Sequence, residues 1–173
     1  MLNSDRLKFR YFENKDLEDV MKIRSSSQAY DFFFEYEPFN KEQQFSWWQQ
    51  SYKQSNEKNF IIVDHNDVFV GTVSLVNIDM RSKKAELGRF FINEHNRKNG
   101  IGMEAMDILI HYAFNHLNLN KIYLEVFSKN TEAVALYEKL GFTNEGSLKN
   151  HVFKNGEYLD VEIYSIFINN SKG

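Results

Sequence analysis

The stretch Arg97-Lys98-Asn99-Gly100-Ile101-Gly102-Met103-Glu104 breaks a strand pattern and opens the longest amphipathic helix in the chain. Residues 85–92, just before it, have strand composition. Just after it, apolar residues recur at Ile101, Ala105, Ile108, Leu109, Tyr112 and Ala113, the spacing of one helical face. Glycines at 100 and 102 let the backbone turn its N–H groups toward one point, where the helix N-terminus adds unpaired donors and partial positive charge. An anion such as a phosphate fits that geometry. Taken alone, the same glycines serve equally well as a loop and helix cap.

The chain is 173 residues long, 42% hydrophobic and 16% aromatic, enough for one sizeable core and short for two. A single domain spanning 1–173 is expected. The net charge of −3, with Lys and Arg scattered evenly, lacks the basic stripe a nucleic-acid backbone requires. With no cysteine, disulfides, thiolate metal sites and a cysteine nucleophile are excluded. Two histidines, His111 and His116, miss the i,i+4 spacing of a helical metal pair by one residue, so no metal is expected. The N-terminus lacks the apolar core of a signal peptide, and no run approaches the roughly 20 apolar residues of a membrane span. A soluble, cytoplasmic protein without membrane contact is expected.

Taken in order, the chain reads as seven strands and four helices. Strands are expected over 7–12, 60–64, 68–76, 85–92, 121–127, 146–153 and 158–167. Helices are expected from 17 to 24 after capping residues at 14–16, from 41 to about 54, from 101 to 116 or 117, and from 130 to 140. The crossover from 85–92 through the long helix to 121–127 makes those two strands parallel, while hairpins make their neighbours antiparallel. The fold class is therefore α/β (α+β), a central mixed twisted sheet of six to seven strands flanked by four helices. Residues 25–40 lose periodicity yet hold Phe32, Phe33, Phe34, Tyr36 and Phe39, so they should pack on something: core, ligand or a second subunit of a homo-oligomer.

Two ordered motifs carry a family resemblance. Arg97-x-x-Gly100-x-Gly102 resembles the pyrophosphate-binding motif of the GCN5-related N-acetyltransferases. Asn130-x-x-Ala133-x-x-x-Tyr137-x-x-x-Gly141-Phe142 is similar to that family's second signature. Within the family, the 121–126 strand and the tail from Gly146 to Val161 look like the branch of ribosomal-protein alanine, spermidine and amino-sugar-nucleotide acetyltransferases. The resemblance implies acetyl-CoA as cosubstrate and a primary amine of a small molecule, polyamine or amino sugar, as acceptor, attacked directly in a ternary complex. The alternative acceptor is a protein N-terminus; a coenzyme-binding sensor without catalysis is a third reading.

The resemblance also assigns residues. Arg97, Lys98, Asn99, Gly100, Ile101, Gly102 and Met103 would cradle pyrophosphate, and backbone groups of Phe91 and Ile92 would pair with the pantetheine arm. Asn130 and Ala133 would hold the coenzyme arm, and Tyr137, a phenol of pKa about 10, would protonate the leaving thiolate. Glu86 and Glu125 are carboxylates within apolar strands and candidates for the general base, Glu86 preferred; strand alternation leaves open whether either faces the site or solvent. Glu35 and Glu37, with Asp31 and Glu42, would attract a cationic amine or form a solvated rim. Trp47 and Trp48 line an acceptor pocket or belong to the core.

Overall fold

Strands that alternate with helices need both sheet faces covered, and the computed structural model shows how this chain does it. It describes residues 2–26, 33–34, 40–97 and 99–168. Among these, seven strands form one mixed sheet: β1 (Leu7–Arg10), β2 (Lys58–Asp64), β3 (Phe69–Asp79), β4 (Lys84–Ile92), β5 (Lys121–Phe127), β6 (Thr143–Lys154) and β7 (Glu157–Phe167). Their order across the sheet is β1-β2-β3-β4-β5-β7-β6. Four α-helices accompany them: α1 (Leu17–Arg24), α2 (Lys41–Ser51), α3 (Ile101–His111) and α4 (Thr131–Lys139). The expected element order and fold class are both found.

Period-two alternation divides the apolar residues of β2 between two cores. Phe60 and Ile62 pack with α3 and α4 residues such as Ala105, Leu109 and Tyr137. Ile61 and Val63 join Val20 of α1 and Trp48 of α2 on the other face. All four β2 side chains are buried. The first strand, expected to 12, stops at Arg10. There Phe12 leaves the sheet to stack on Trp48 at 4.9 Å, and its N–H donates to the Tyr52 hydroxyl.

All strand pairs are antiparallel except β4 with β5, and that pair is short. Its register runs Lys84–Lys121, Ala85–Ile122 and Glu86–Tyr123, then ends. Beyond it the two strands part, leaving a wedge-shaped gap in the middle of the sheet. The other edge of β4 stays paired to β3 through Phe91–Thr72 and Ile92–Gly71. The backbones come unusually close here: a Cβ on Gly71 would lie 2.1 Å from the Phe91 carbonyl oxygen.

No side chain fits at position 71 unless β4 moves. Gly71→Ala is expected to destabilise the fold by about 2–3 kcal/mol. Urea unfolding with an unchanged m-value and a lower midpoint checks this; an unchanged midpoint would show that β4 is free to shift.

Candidate active site

The gap between β4 and β5 opens into a cleft of about 800 Å³ lined by residues of both strands and of all four helices. Its floor on the β4 side is shaped by backbone direction. Phe91 pairs toward β3, and the Asn93 N–H bonds the Val70 carbonyl on the same side. Alternation then turns the N–H and C=O of Ile92, between them, into the gap. The Ile92 carbonyl is already taken, accepting 2.8 Å from Arg97 Nε, while the Arg97 guanidinium lies 5.1 Å from the Phe91 ring centre. Of the backbone groups expected to meet a pantetheine arm, Phe91 points to β3 and only the Ile92 N–H remains open to the cleft.

One end of the cleft is the N-terminus of α3. Gly100 caps it with φ +75°, a conformation that favours glycine. The Glu104 N–H is the first to close onto a helical carbonyl, that of Gly100, at 3.0 Å. Among the described residues, the N–H groups of Ile101, Gly102 and Met103 have no partner, the arrangement that binds phosphates. At Gly102 a Cβ would have only the Leu136 and Phe90 side chains near it, both 3.7 Å away, so its absence leaves room for a ligand. Gly100, Gly102, Met103 and Arg97 line the cleft. The Ile101 side chain is buried in the core, so it contributes backbone at most, and the backbone carbonyl of the exposed Asn99 accepts from Arg6. Lys98, Glu35 and Glu37 lie outside the described residues.

An acidic residue in the first turn of α3 is neutralised from a distant part of the chain. Glu104 forms an ion pair with Arg6 and accepts 2.5 Å from Ser4 Oγ. Burial pushes its carboxyl up, but the bonds from Ser4 and Arg6 outweigh that and hold it below the usual carboxylate range.

α4 presents the second motif to the same cleft. Asn130 caps the helix, accepting from the Ala133 N–H at 3.2 Å and leaving its own side-chain N–H groups free of that task. Tyr137 is buried, its ring 5.7 Å from Phe142, and it lines the cleft with Asn130 and Ala133. Its hydroxyl has no hydrogen-bond partner among the described residues. Burial pushes the phenol pKa well above its ordinary value, so it stays protonated at neutral pH.

Both candidate bases are among the residues that line the cleft. Glu86 is held: Asn77 Nδ2 donates to it at 2.7 Å and the Tyr123 hydroxyl at 3.5 Å. Glu125, on β5 just past the last paired position, makes no hydrogen bond or ion pair among the described residues. The opposite end is walled by Val20 and Ile23 of α1, Gln44, Trp47 and Trp48 of α2, and Phe33 and Phe34. The two tryptophans therefore serve core and cleft together. The Gln44 Oε1 and Trp48 Nε1 atoms are buried beside this end without partners among the described residues.

Sequence reasoning missed Arg89. A register shift between Thr72/Ser74 and Phe91/Gly88 places one extra residue on β4, and Arg89 there has φ +53°. The bulge inverts the faces of the strand: Ala85 and Leu87 share the α3 core with Ile92, while Phe91 packs with Ile23 on the other side. Gly88-Arg89 in mid-strand, with polar Asn59 and Ser74 inside apolar strands, was the available signal.

A parted sheet with helix N-terminal amides, two carboxylates and an aromatic wall thus lines one cleft. A family model described as acetyltransferase (GNAT) domain matches residues 9–163, and the chain belongs to that family of N-acetyltransferases. It is 30% identical over 175 residues to the spermidine N(1)-acetyltransferase of Vibrio cholerae, covering 98% of this chain and 99% of the relative. The crystal structure of spermidine N-acetyltransferase from Vibrio cholerae with CoA and spermine superposes with a TM-score of 0.89 at 30% identity, over 97% of this chain and 98% of that one. A dodecameric structure of spermidine N-acetyltransferase from Vibrio cholerae matches with a TM-score of 0.82 at 28% identity, over 98% and 100%. Among the described residues no helix is long and apolar enough to cross a membrane, and no group of three or more His, Asp or Glu could hold a metal ion.

The buried phenol leaves a mark on stability. Below pH about 10 Tyr137 is neutral in folded and unfolded chains alike. Above it the unfolded chain ionises first, so the folded state holds the extra proton and stability falls as pH rises, by up to about 1.4 kcal/mol per unit. Tyr137→Phe is expected to flatten that alkaline decline, measured as urea midpoints at pH 9 and 11; equal slopes would mean that the phenol is not desolvated.

Proposed function

We propose that the chain transfers the acetyl group of acetyl-CoA to a primary amine of a polyamine by direct attack within a ternary complex. The observation that carries this reading is the charge order along one cleft: free N–H groups of residues 101–103 at one end, Glu86 and Glu125 in the middle. The near full-length similarity to spermidine acetyltransferases supports the acceptor class. The coenzyme supplies an activated thioester, and the remaining work falls to the chain.

Helix α3 binds pyrophosphate through its first amides, and Asn130 holds the arm beside β4. The Ile92 N–H, aimed into the gap, steadies the acyl oxygen as negative charge develops there. Glu86 removes a proton from the incoming ammonium, whose pKa near 10 keeps it charged at neutral pH. Its tether to Asn77 and Tyr123 fixes the carboxylate in one geometry, which proton abstraction requires. Glu125 adds negative charge that draws the ammonium in. Tyr137, kept neutral by burial, gives its proton to the leaving thiolate. Self-association is part of the proposal, supported by the dodecameric relative.

Free-thiol release from acetyl-CoA tests the reaction against polyamines, amino-sugar nucleotides, aminoglycosides and N-terminal peptides. Turnover is expected with spermidine or spermine; turnover with peptides alone would replace the acceptor class. In Tyr137→Phe, kcat is expected to drop on the order of 10²-fold with coenzyme affinity intact. Unchanged kcat would remove Tyr137 from proton transfer.

A further inference from the structure

A non-glycine residue with φ +53° in mid-strand costs about 1–3 kcal/mol and persists only where its surroundings over-determine it. Arg89 is over-determined by four contacts. Its carbonyl accepts 2.9 Å from Thr72 Oγ1 of β3. Its guanidinium donates to Asn59 Oδ1 of β2 at 2.9 Å and to Glu57 Oε2, in the segment before β2, at 3.2 Å. Its cationic carbon lies 4.7 Å from the ring centre of Trp47 on α2. The partners are themselves fixed: Asn59 is 1% exposed, donates to Glu57 at 3.2 Å and accepts 2.6 Å from Ser74 Oγ, which is also buried. One side chain thus ties the bulge of β4 across β3 to β2 and to the helix above.

The bulge lies between Glu86, the candidate base, and Ile92, whose N–H faces the gap. Without the extra residue, every side chain and backbone group beyond position 88 would change sides. We propose that Arg89 is the positioning residue of the reacting centre, a guanidinium strut that locks the β4 bulge and so sets the Ile92 N–H against Glu86 for the acetyl-transfer geometry. The inference rests on the functional reading above. It makes Arg89 act through backbone it holds, without touching the reacting atoms.

The removal of the strut is separable from the removal of strain. Arg89→Gly accepts the left-handed backbone and deletes the guanidinium, so a role confined to φ strain leaves turnover intact. A strut predicts that kcat falls roughly 10²-fold, the cost of an ångström-scale misplacement, while KM for acetyl-CoA holds because α3 is untouched. Ethylguanidine, filling the space between Trp47, Asn59 and Glu57, is expected to restore part of kcat. Arg89→Lys should not, because an ammonium cannot reproduce the fork. Glu57→Gln keeps the Asn59 bond and should give a smaller loss; it also serves if Arg89→Gly does not fold.

Amide hydrogen exchange gives a readout that needs no acceptor. Protection at residues 88–92 is expected to drop in Arg89→Gly while that of 101–111 stays at the wild-type level. Unchanged protection at 88–92, or kcat within about twofold of wild type, would overturn the strut. If the wild type acetylates no polyamine but exchange at 88–92 responds as expected, the acceptor reading fails and the strut stands.

Discussion

A β-strand inside a sheet cannot leave its backbone groups bare, because each buried N–H or C=O without a partner costs about 1–3 kcal/mol. The parting of β4 from β5 after Glu86 and Tyr123 creates that situation in the middle of this protein. The rest of the structure answers it. Arg97 reaches back to take the Ile92 carbonyl, and the bulge at Arg89 turns excess backbone toward Thr72. The Ile92 N–H is left without such a partner among the described residues. The cleft is therefore a vacancy in a hydrogen-bond ladder rather than a hollow in the surface, and the elements around it exist to keep it from closing.

Keeping it open requires that the strands be held from outside. On one face, α3 and α4 pack on Leu87, Ile92, Leu124 and Val126, so β4 and β5 are pinned individually to the helices. On the other, Phe91 packs on Ile23, and Arg89 stacks under Trp47. The helices that brace the strands also supply cleft-lining residues, Gly102 and Met103 of α3 and Tyr137 of α4. Stability and site geometry consequently share residues, and a change at Gly71 or Arg89 reaches the site through the backbone.

Spacing along the chain located the seven strands, the four helices and both cleft-lining motifs, because each is written in one contiguous run. Helical period after Gly102 and the Asn130-to-Gly141 spacing needed no distant partner to be read. What was not legible depends on pairings between remote segments. The bulge at Arg89 is defined by how many β4 residues oppose Val73 of β3, and its lock depends on Asn59 from β2 and Trp47 from α2. The clamp of Arg6 on Glu104 and Asn99 joins residues more than 90 positions apart, and nothing local in Ser4-Asp5-Arg6 announces it. The end of β1 at Arg10 likewise follows from Phe12 finding Trp48, a contact no periodicity shows.

That clamp bears on why an anion and a cation are accommodated in one cleft. An acidic residue in the first turn of a helix stabilises the helix but repels a phosphate approaching its N-terminus. Glu104 occupies that turn in α3, and the Arg6 and Ser4 contacts turn its charge away from the anion site and balance it. In the middle of the cleft the described residues differ: Glu86 accepts from the neutral donors of Asn77 and Tyr123, and Glu125 makes no ion pair among them. Arg89, a cation that also lines the cleft, is paired with Glu57. Among the described residues, the carboxylates that would meet an ammonium are thus left without an ion pair, and the one that would oppose a phosphate is paired with Arg6. This selective neutralisation, more than the net charge of −3, gives the cleft its direction.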